Sequence, residues 1–162
     1  LDSTELKKLI TNKNSSSIKN MTTKKKCVFI GHGRNKIWAR LNLHIENELG
    51  IKTRTFESDS HIGKSIIQIL EEILDITTFA ILILTADDES SNGKKRARQN
   101  VIHELGLWQG ELGFTKAIVL KQDGTEEFTN IAGLQYISFV NDNIEQTFYE
   151  LDRVLKREGV ID

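Results

Sequence analysis

The run Cys27-Val28-Phe29-Ile30, followed at once by Gly31-His32-Gly33-Arg34, decides the fold of this chain. Four consecutive apolar residues suit a strand that is buried on both faces, which is typical of the interior of a parallel sheet. The glycines permit a tight turn, and the amphipathic pattern after them predicts a helix over residues 36–49. A strand, a glycine-containing turn and a helix form the first unit of an α/β domain.

The rest of the chain repeats this alternation. The patterns predict further strands over 51–56, 79–84, 117–120 and 136–140, and further helices over 65–75, 98–112 and 145–157. Five strands that alternate with helices predict a doubly wound α/β fold, with a parallel sheet in the order 2-1-3-4-5 and helices on both faces. Ligands bind such a sheet beyond the carboxyl ends of its strands, beside the switch between strands 1 and 3.

Composition narrows the class of protein. The 162 residues suffice for one domain, and the net charge of −1 offers no basic excess for nucleic acid. No apolar run approaches the roughly 20 residues that span a bilayer, and the single cysteine fits a reducing compartment. We therefore expect a cytoplasmic protein without nucleic-acid or membrane partners. The spacing of its histidines and cysteine matches no zinc pattern, so we expect no metal site.

Residues 1–25 differ in composition from the remainder. They are rich in Ser, Asn and Lys, which favours a linker or tail, whereas 26–162 carries the α/β pattern. The first residue is Leu rather than Met, so we expect the tail to follow a further N-terminal domain.

Several candidate site residues lie at the predicted carboxyl edge of the sheet. The turn Gly31-His32-Gly33-Arg34 lets a ligand approach the backbone closely, and Arg34 could pair with a phosphate. Asp87 follows the third strand, where a ribose contact and a solvated loop residue are both open interpretations. Arg98 lies at the start of the next helix and is a second candidate for a phosphate contact.

The helix over 98–112 carries the strongest candidate. Its apolar stripe, formed by Val101, Leu105, Trp108 and Leu112, predicts the buried side. Asn100 and Glu104 are four residues apart on another face. Because the helix begins at the ligand edge, Glu104 is a candidate catalytic carboxylate. The alternative is an ordinary surface glutamate.

Four blocks, over 28–34, 63–67, 81–88 and 97–106, resemble the TIR domain in sequence and order. They are most similar to the prokaryotic TIR-like group found in anti-phage defence effectors of the CBASS and Pycsar type. The resemblance runs from about residue 26 to the C-terminus and implies a flavodoxin-like sheet.

The resemblance also implies a reaction, cleavage of the nicotinamide–ribose bond of NAD⁺, which is a substrate here and not a cofactor. The catalytic glutamate of that family matches Glu104, and the loops that border its NAD site match 31–34 and 57–64. The second loop adds Ser58 and Lys64 as candidate substrate contacts. Asn100 stands where many eukaryotic members carry Trp. Such enzymes typically act after self-association, and the N-terminal domain could be a sensor of a nucleotide second messenger.

The implied reaction requires one carboxylate, and two other functions remain open. A carboxylate can stabilise the oxocarbenium-like ribose that forms as nicotinamide departs, and a nearby helix N-terminus is expected to keep Glu104 ionised. A TIR module that signals by assembly alone remains open. So does an enzyme that transfers the N-glycosyl group of free nucleosides, although Arg34, Arg96 and Arg98 favour a substrate with a pyrophosphate.

Overall fold

A computed structural model describes residues 27–58, 61–89, 92–126 and 135–162. The predicted tail over 1–25, with the expectation of a preceding domain, lies outside these residues. Among the helices that are described, none is both long and apolar enough to cross a membrane.

The elements follow each other in an alternating order. They are β1 (Cys27–Gly31), α1 (Trp38–Leu43), which continues as a π-helical turn (His44–Glu48), β2 (Lys52–Arg54), α2 (Ile66–Ile76), β3 (Phe79–Leu84), β4 (Asp88–Glu89), β5 (Lys95–Arg96), α3 (Gln99–Leu112), β6 (Ala117–Gln122), β7 (Ile137–Phe139) and α4 (Phe148–Arg157). Short 3₁₀ turns, Phe114–Lys116 and Ile144–Thr147, precede β6 and α4.

The main sheet has five parallel strands in the order β2-β1-β3-β6-β7. This confirms the predicted order, since β6 and β7 are the fourth and fifth strands of the sequence prediction. Gly31 pairs with Leu82, and Leu82 pairs with Val119, so the ends of β1, β3 and β6 are aligned. All five carboxyl ends therefore meet at one edge of the sheet.

The central strand β3 divides the core into two layers, and every one of its residues is buried. Its odd-numbered residues pack in one apolar cluster with α1 and α4, and its even-numbered residues pack in a second cluster with α2 and α3. This follows from the alternation of side chains along a strand. The prediction of helices on both faces is confirmed.

Three local expectations differ from the structure. The first helix was expected to be a regular helix over 36–49, but its last turn is π-helical, and there the His44 ring stacks on Phe148 of α4 at 4.2 Å. β2 has only three residues. No strand was predicted over 85–97, yet β4 and β5 pair there in an antiparallel hairpin. The hairpin strands carry charged residues, and Lys95 Nζ lies 3.0 Å from Glu89 Oε2, so the sequence has no apolar alternation there.

The packing of α3 on the sheet depends on one aromatic pair. Trp108 is 1% exposed, and its ring centroid lies 4.8 Å from that of Phe29 on β1. Val101 and Leu105 are buried on the same stripe and Leu112 is partly buried, which confirms the predicted side of the helix. The register of α3 along β1 is thus fixed about one turn before its C-terminus.

Replacement of Trp108 tests this packing. We expect Trp108→Ala to lower the free energy of unfolding by about 3–5 kcal/mol, because it leaves a large cavity between β1 and α3. Urea unfolding at neutral pH measures the change. Tyr149→Ala is the control, since Tyr149 is 78% exposed and its loss should cost under about 0.5 kcal/mol. Equal losses for the two variants would contradict this account of the core.

Candidate functional site

Gly31, the last residue of β1, lets α3 lie directly against the strand end. A Cβ atom at this position would overlap with Leu82 and would lie 2.8 Å from Glu104 Oε2. Any larger residue must therefore displace either the core or the glutamate. The carboxylate of Glu104 lies at the carboxyl edge, between β1 and α3, as the topology predicted.

The environment of Glu104 changes its acidity. The side chain is largely enclosed, and this burial, together with the negative charge of Glu57, raises the pKa of Glu104 from 4.5 to about 7. Within the described part of the chain, no hydrogen bond or ion pair reaches its carboxylate. The group therefore has the capacity to interact with a ligand that enters from the sheet edge.

The expectation that the helix N-terminus keeps Glu104 ionised is wrong in direction. α3 begins at Gln99, so Glu104 lies in its second turn. The field of a helix terminus acts mainly within the first turn, whereas desolvation acts on the carboxylate itself. Burial consequently dominates.

Asp87 organises the turn between β1 and α1. Its Oδ2 atom accepts a hydrogen bond from the backbone N–H of Arg34 at 2.7 Å, and its Oδ1 atom accepts one from the Thr85 hydroxyl at 2.8 Å. A Cβ atom on Gly33 would overlap with this carboxylate and lie 3.6 Å from Arg98 Cδ. Asp87 and Arg98 are thus brought to the Gly31–Arg34 turn, as predicted. A ribose contact by Asp87 stays a prediction.

His32 lies on the side of the β1 end that is opposite Glu104. Its ring stacks on Trp38 with centroids 4.4 Å apart, and its Nδ1 atom lies 2.9 Å from the Gly33 carbonyl oxygen. Since a carbonyl only accepts hydrogen bonds, Nδ1 must carry a proton. The Nε2 atom faces Glu57, with 3.3 Å between it and Oε2.

The remaining predicted residues occupy different positions. The Ser58 hydroxyl accepts a hydrogen bond from the Thr55 backbone N–H at 2.7 Å, so it shapes the turn that carries Glu57. Lys64 Nζ bonds to Glu72 Oε2 on α2 at 2.7 Å. Asn100 is exposed in the first turn of α3. In the described ranges neither Ser58 nor Lys64 touches Glu104, so their contact with a substrate stays a prediction.

Sequence reasoning missed two residues of this site, Glu57 and Trp38. Glu57 was only the first residue of a predicted loop. The predicted strand order nevertheless held a signal, because strands 1 and 2 are neighbours. A carboxylate directly after strand 2 should then lie near the turn after strand 1. Trp38 carried no signal beyond its place near the start of a helix.

Comparison with known proteins identifies the family. Residues 27–141 match the family described as "CAP12/Pycsar effector protein, TIR domain". The chain belongs to this family of TIR domains, which confirms its resemblance to effectors of anti-phage defence.

Two relatives are similar to this chain over about two thirds of its length. YuaY of Escherichia coli K12, described as an uncharacterised protein, is 30% identical over 114 residues, which cover 67% of this chain and 38% of YuaY. CD-NTase-associated protein 12 of Flavobacterium daejeonense is 30% identical over 118 residues, which cover 69% of this chain and 37% of that protein. The chain thus spans well under half of the length of these relatives.

The raised pKa of Glu104 implies that the stability of the folded domain depends on pH. The folded state binds the Glu104 proton more tightly than the unfolded state, so stability is lost as the pH rises from 4.5 to about 7. The loss is complete above that range and amounts to about 3 kcal/mol at most. Glu104→Gln should therefore raise the melting temperature at about pH 8 and have a much smaller effect at about pH 4.5. Thermal unfolding at both pH values measures this. Glu111→Gln, an exposed change on the same helix, is the control, and an equal effect of Glu104→Gln at both values would contradict the assignment.

The close approach at Gly33 makes a second prediction. We expect Gly33→Ala to destabilise the domain by about 1–3 kcal/mol, because the new methyl group must displace the Asp87 carboxylate that holds the Arg34 backbone. Chemical denaturation measures the loss. Gly110→Ala is the matched control, since a Cβ atom there meets no neighbouring atom within 4 Å and Ala favours the helix. The account of the turn fails if both variants behave alike.

Proposed function

We propose that this domain is an NAD⁺ glycohydrolase that cleaves the nicotinamide–ribose bond, with Glu104 as its catalytic residue. One observation carries the proposal. In a TIR domain, an enclosed carboxylate without a hydrogen-bond or ion-pair partner among the described residues lies against a glycine at the carboxyl edge of the sheet. This is the edge at which doubly wound folds bind nucleotides.

The proposed chemistry needs one negative charge. Nicotinamide is cationic within NAD⁺ and leaves as a neutral molecule, so its departure needs no acid. Positive charge then develops on the ribose, and an ionised Glu104 stabilises it in an environment that is partly shielded from water. The cationic ring of the substrate would itself favour ionisation of Glu104 on binding.

The surroundings of Glu104 suit the pyrophosphate of such a substrate. Arg98 is the N-cap residue of α3, and its side chain makes no capping hydrogen bond. The first N–H groups of a helix lack intrahelical acceptors, so this helix start can bind an anion. Arg34 is 67% exposed at its side chain and lies on the adjacent turn. These two arginines favour NAD⁺ over a free nucleoside, which carries no phosphate.

We propose that the domain serves in anti-phage defence and becomes active by self-association. The matching family consists of effector proteins, and one relative is named for its association with a CD-NTase. We infer that the domain acts as an effector that self-associates to become active, under control of a sensor domain for a nucleotide second messenger. NAD⁺ would be consumed as a substrate, and no further cofactor or metal is required by this chemistry.

Nicotinamide release tests the activity. We expect the chain to release nicotinamide from NAD⁺ at a rate per molecule that increases with protein concentration. Glu104→Ala should lower this rate at least about 10²-fold, because the charge that stabilises the transition state is lost. Glu111→Ala on the same helix should retain the rate. An assembled chain that releases no nicotinamide would leave the TIR domain a module for interaction only.

The pH dependence gives an independent check. Since the ionised form of Glu104 acts, kcat/KM should rise with pH and level off above about 7, the pKa of this carboxyl in the free protein. The profile of kcat should level off at lower pH, because the bound cationic substrate lowers the pKa. Initial rates from about pH 5 to about pH 9 measure both profiles. A kcat/KM that does not fall at low pH would rule out Glu104 as the group that must be ionised.

A further inference from the structure

Glu57 is a second carboxylate at the same edge of the sheet as Glu104. It follows β2 in the turn that the Ser58 hydroxyl closes. Its side chain is 66% exposed, and Oε2 lies 3.3 Å from His32 Nε2. Glu57 therefore stands at the solvent side of the site, whereas Glu104 is enclosed.

The end of β1 separates these two carboxylates. Gly31 and His32 are consecutive, so they face opposite sides of the strand end. Gly31 faces Glu104 on α3, and His32 faces Trp38 on α1 and Glu57 on the loop after β2. A substrate ribose bound over this strand end would have a carboxylate on each side. The raised pKa of Glu104, which Glu57 helps to cause, agrees with their proximity.

We propose that Glu57 is the general base that takes a proton from the water that attacks the ribose, and that His32 is the residue that positions it. The inference rests on the proposed NAD⁺ cleavage and adds a separate role to it. Two carboxylates that share a hydrolytic site commonly divide such tasks between them. The exposed one is the one that incoming water meets first.

The bond between ribose C1′ and the nicotinamide nitrogen breaks, and both electrons leave with nicotinamide. A water oxygen forms the new bond to C1′ while one of its protons moves to the Glu57 carboxylate. That proton is then released to solvent, so the products are ADP-ribose, nicotinamide and one proton. Glu104 carries no proton in this step and stabilises the ribosyl cation.

His32 suits a positioning role because three contacts fix its ring. Trp38 covers one face and the Gly33 carbonyl accepts from Nδ1, which leaves Nε2 3.3 Å from Glu57 Oε2. In the cationic, doubly protonated ring this Nε2 atom faces the carboxylate as a donor. A carboxylate on an exposed turn would otherwise sample several rotamers, and general-base catalysis depends on its placement. His32 itself would touch neither water nor substrate.

Pyridine base exchange separates this role from a structural one. Water loses a proton when it attacks, but the ring nitrogen of 3-acetylpyridine has none to lose. The chain, kept at a concentration where it releases nicotinamide, is given NAD⁺ with and without 3-acetylpyridine, and ADP-ribose and the exchanged dinucleotide are quantified by chromatography. For Glu57→Gln we expect ADP-ribose formation to fall about 10²-fold while base exchange stays within about threefold of the original rate.

Matched variants complete the experiment. Glu104→Gln should lose both products, and Glu111→Gln should lose neither. His32→Phe, which keeps an aromatic ring against Trp38 but lacks both nitrogens, should shift the product ratio in the same direction as Glu57→Gln and by less. A variant that lost both products in equal measure through misfolding would leave the ratio unchanged.

The outcomes distinguish the two proposals. The role of Glu57 is overturned if Glu57→Gln lowers hydrolysis and exchange equally, if it lowers neither, or if the original chain yields only a cyclised product that needs no water. The proposed NAD⁺ cleavage fails instead if the original chain forms neither product, or if Glu104→Gln forms both at the original rate.

Discussion

The contact on which the site depends is the close approach of α3 to the end of β1 at Gly31. A methyl group there would overlap with the core residue Leu82 and reach Glu104. Trp108 and Phe29 set the register of the same helix about one turn further along it. Because the helix is fixed at both places, the carboxylate of Glu104 is carried on rigid elements and not on a loop. Its position is a consequence of core packing.

The same packing makes it costly for the Glu104 carboxylate to carry a negative charge. The core encloses Glu104, and within the described residues no donor compensates its carboxylate, so its ionised form is costly. A purely structural glutamate would be expected to gain a hydrogen-bond partner or to turn toward solvent. The turn beside it shows what a structural carboxylate looks like, since both oxygens of Asp87 accept hydrogen bonds from the chain. The contrast between these two acids is the physical argument that Glu104 serves a ligand.

Much of the architecture was predictable because it follows from apolar patterning. The buried runs at Cys27 and Phe79 predicted the central strands, and the stripe through Trp108 predicted the buried side of α3. The strand order followed from the alternation of strands and helices and the usual order of a doubly wound sheet. Periodicity did not predict the π-helical turn at His44, where the ring makes a tertiary contact with Phe148 of α4. The β4–β5 hairpin was not predicted because its strands carry charged residues, such as Lys95 and Glu89, and have no apolar pattern. Periodicity in a sequence indicates which residues are buried. It does not indicate features that involve polar pairs or a single tertiary contact, as these two do.

The candidate site was also predictable only in part. Glu104, Arg98 and the turn over Gly31–Arg34 were predictable, because topology assigns the carboxyl edge and the family resemblance selects residues on it. The acidity of Glu104 was not, since it depends on how deeply α3 is packed and on a neighbour, Glu57, that comes from another loop. Parallel neighbouring strands bring the residues that follow them to one place. A sequence pattern that treats each loop separately therefore finds the glutamate on the helix but misses Glu57, although the strand order alone implies that both residues lie beside the end of β1.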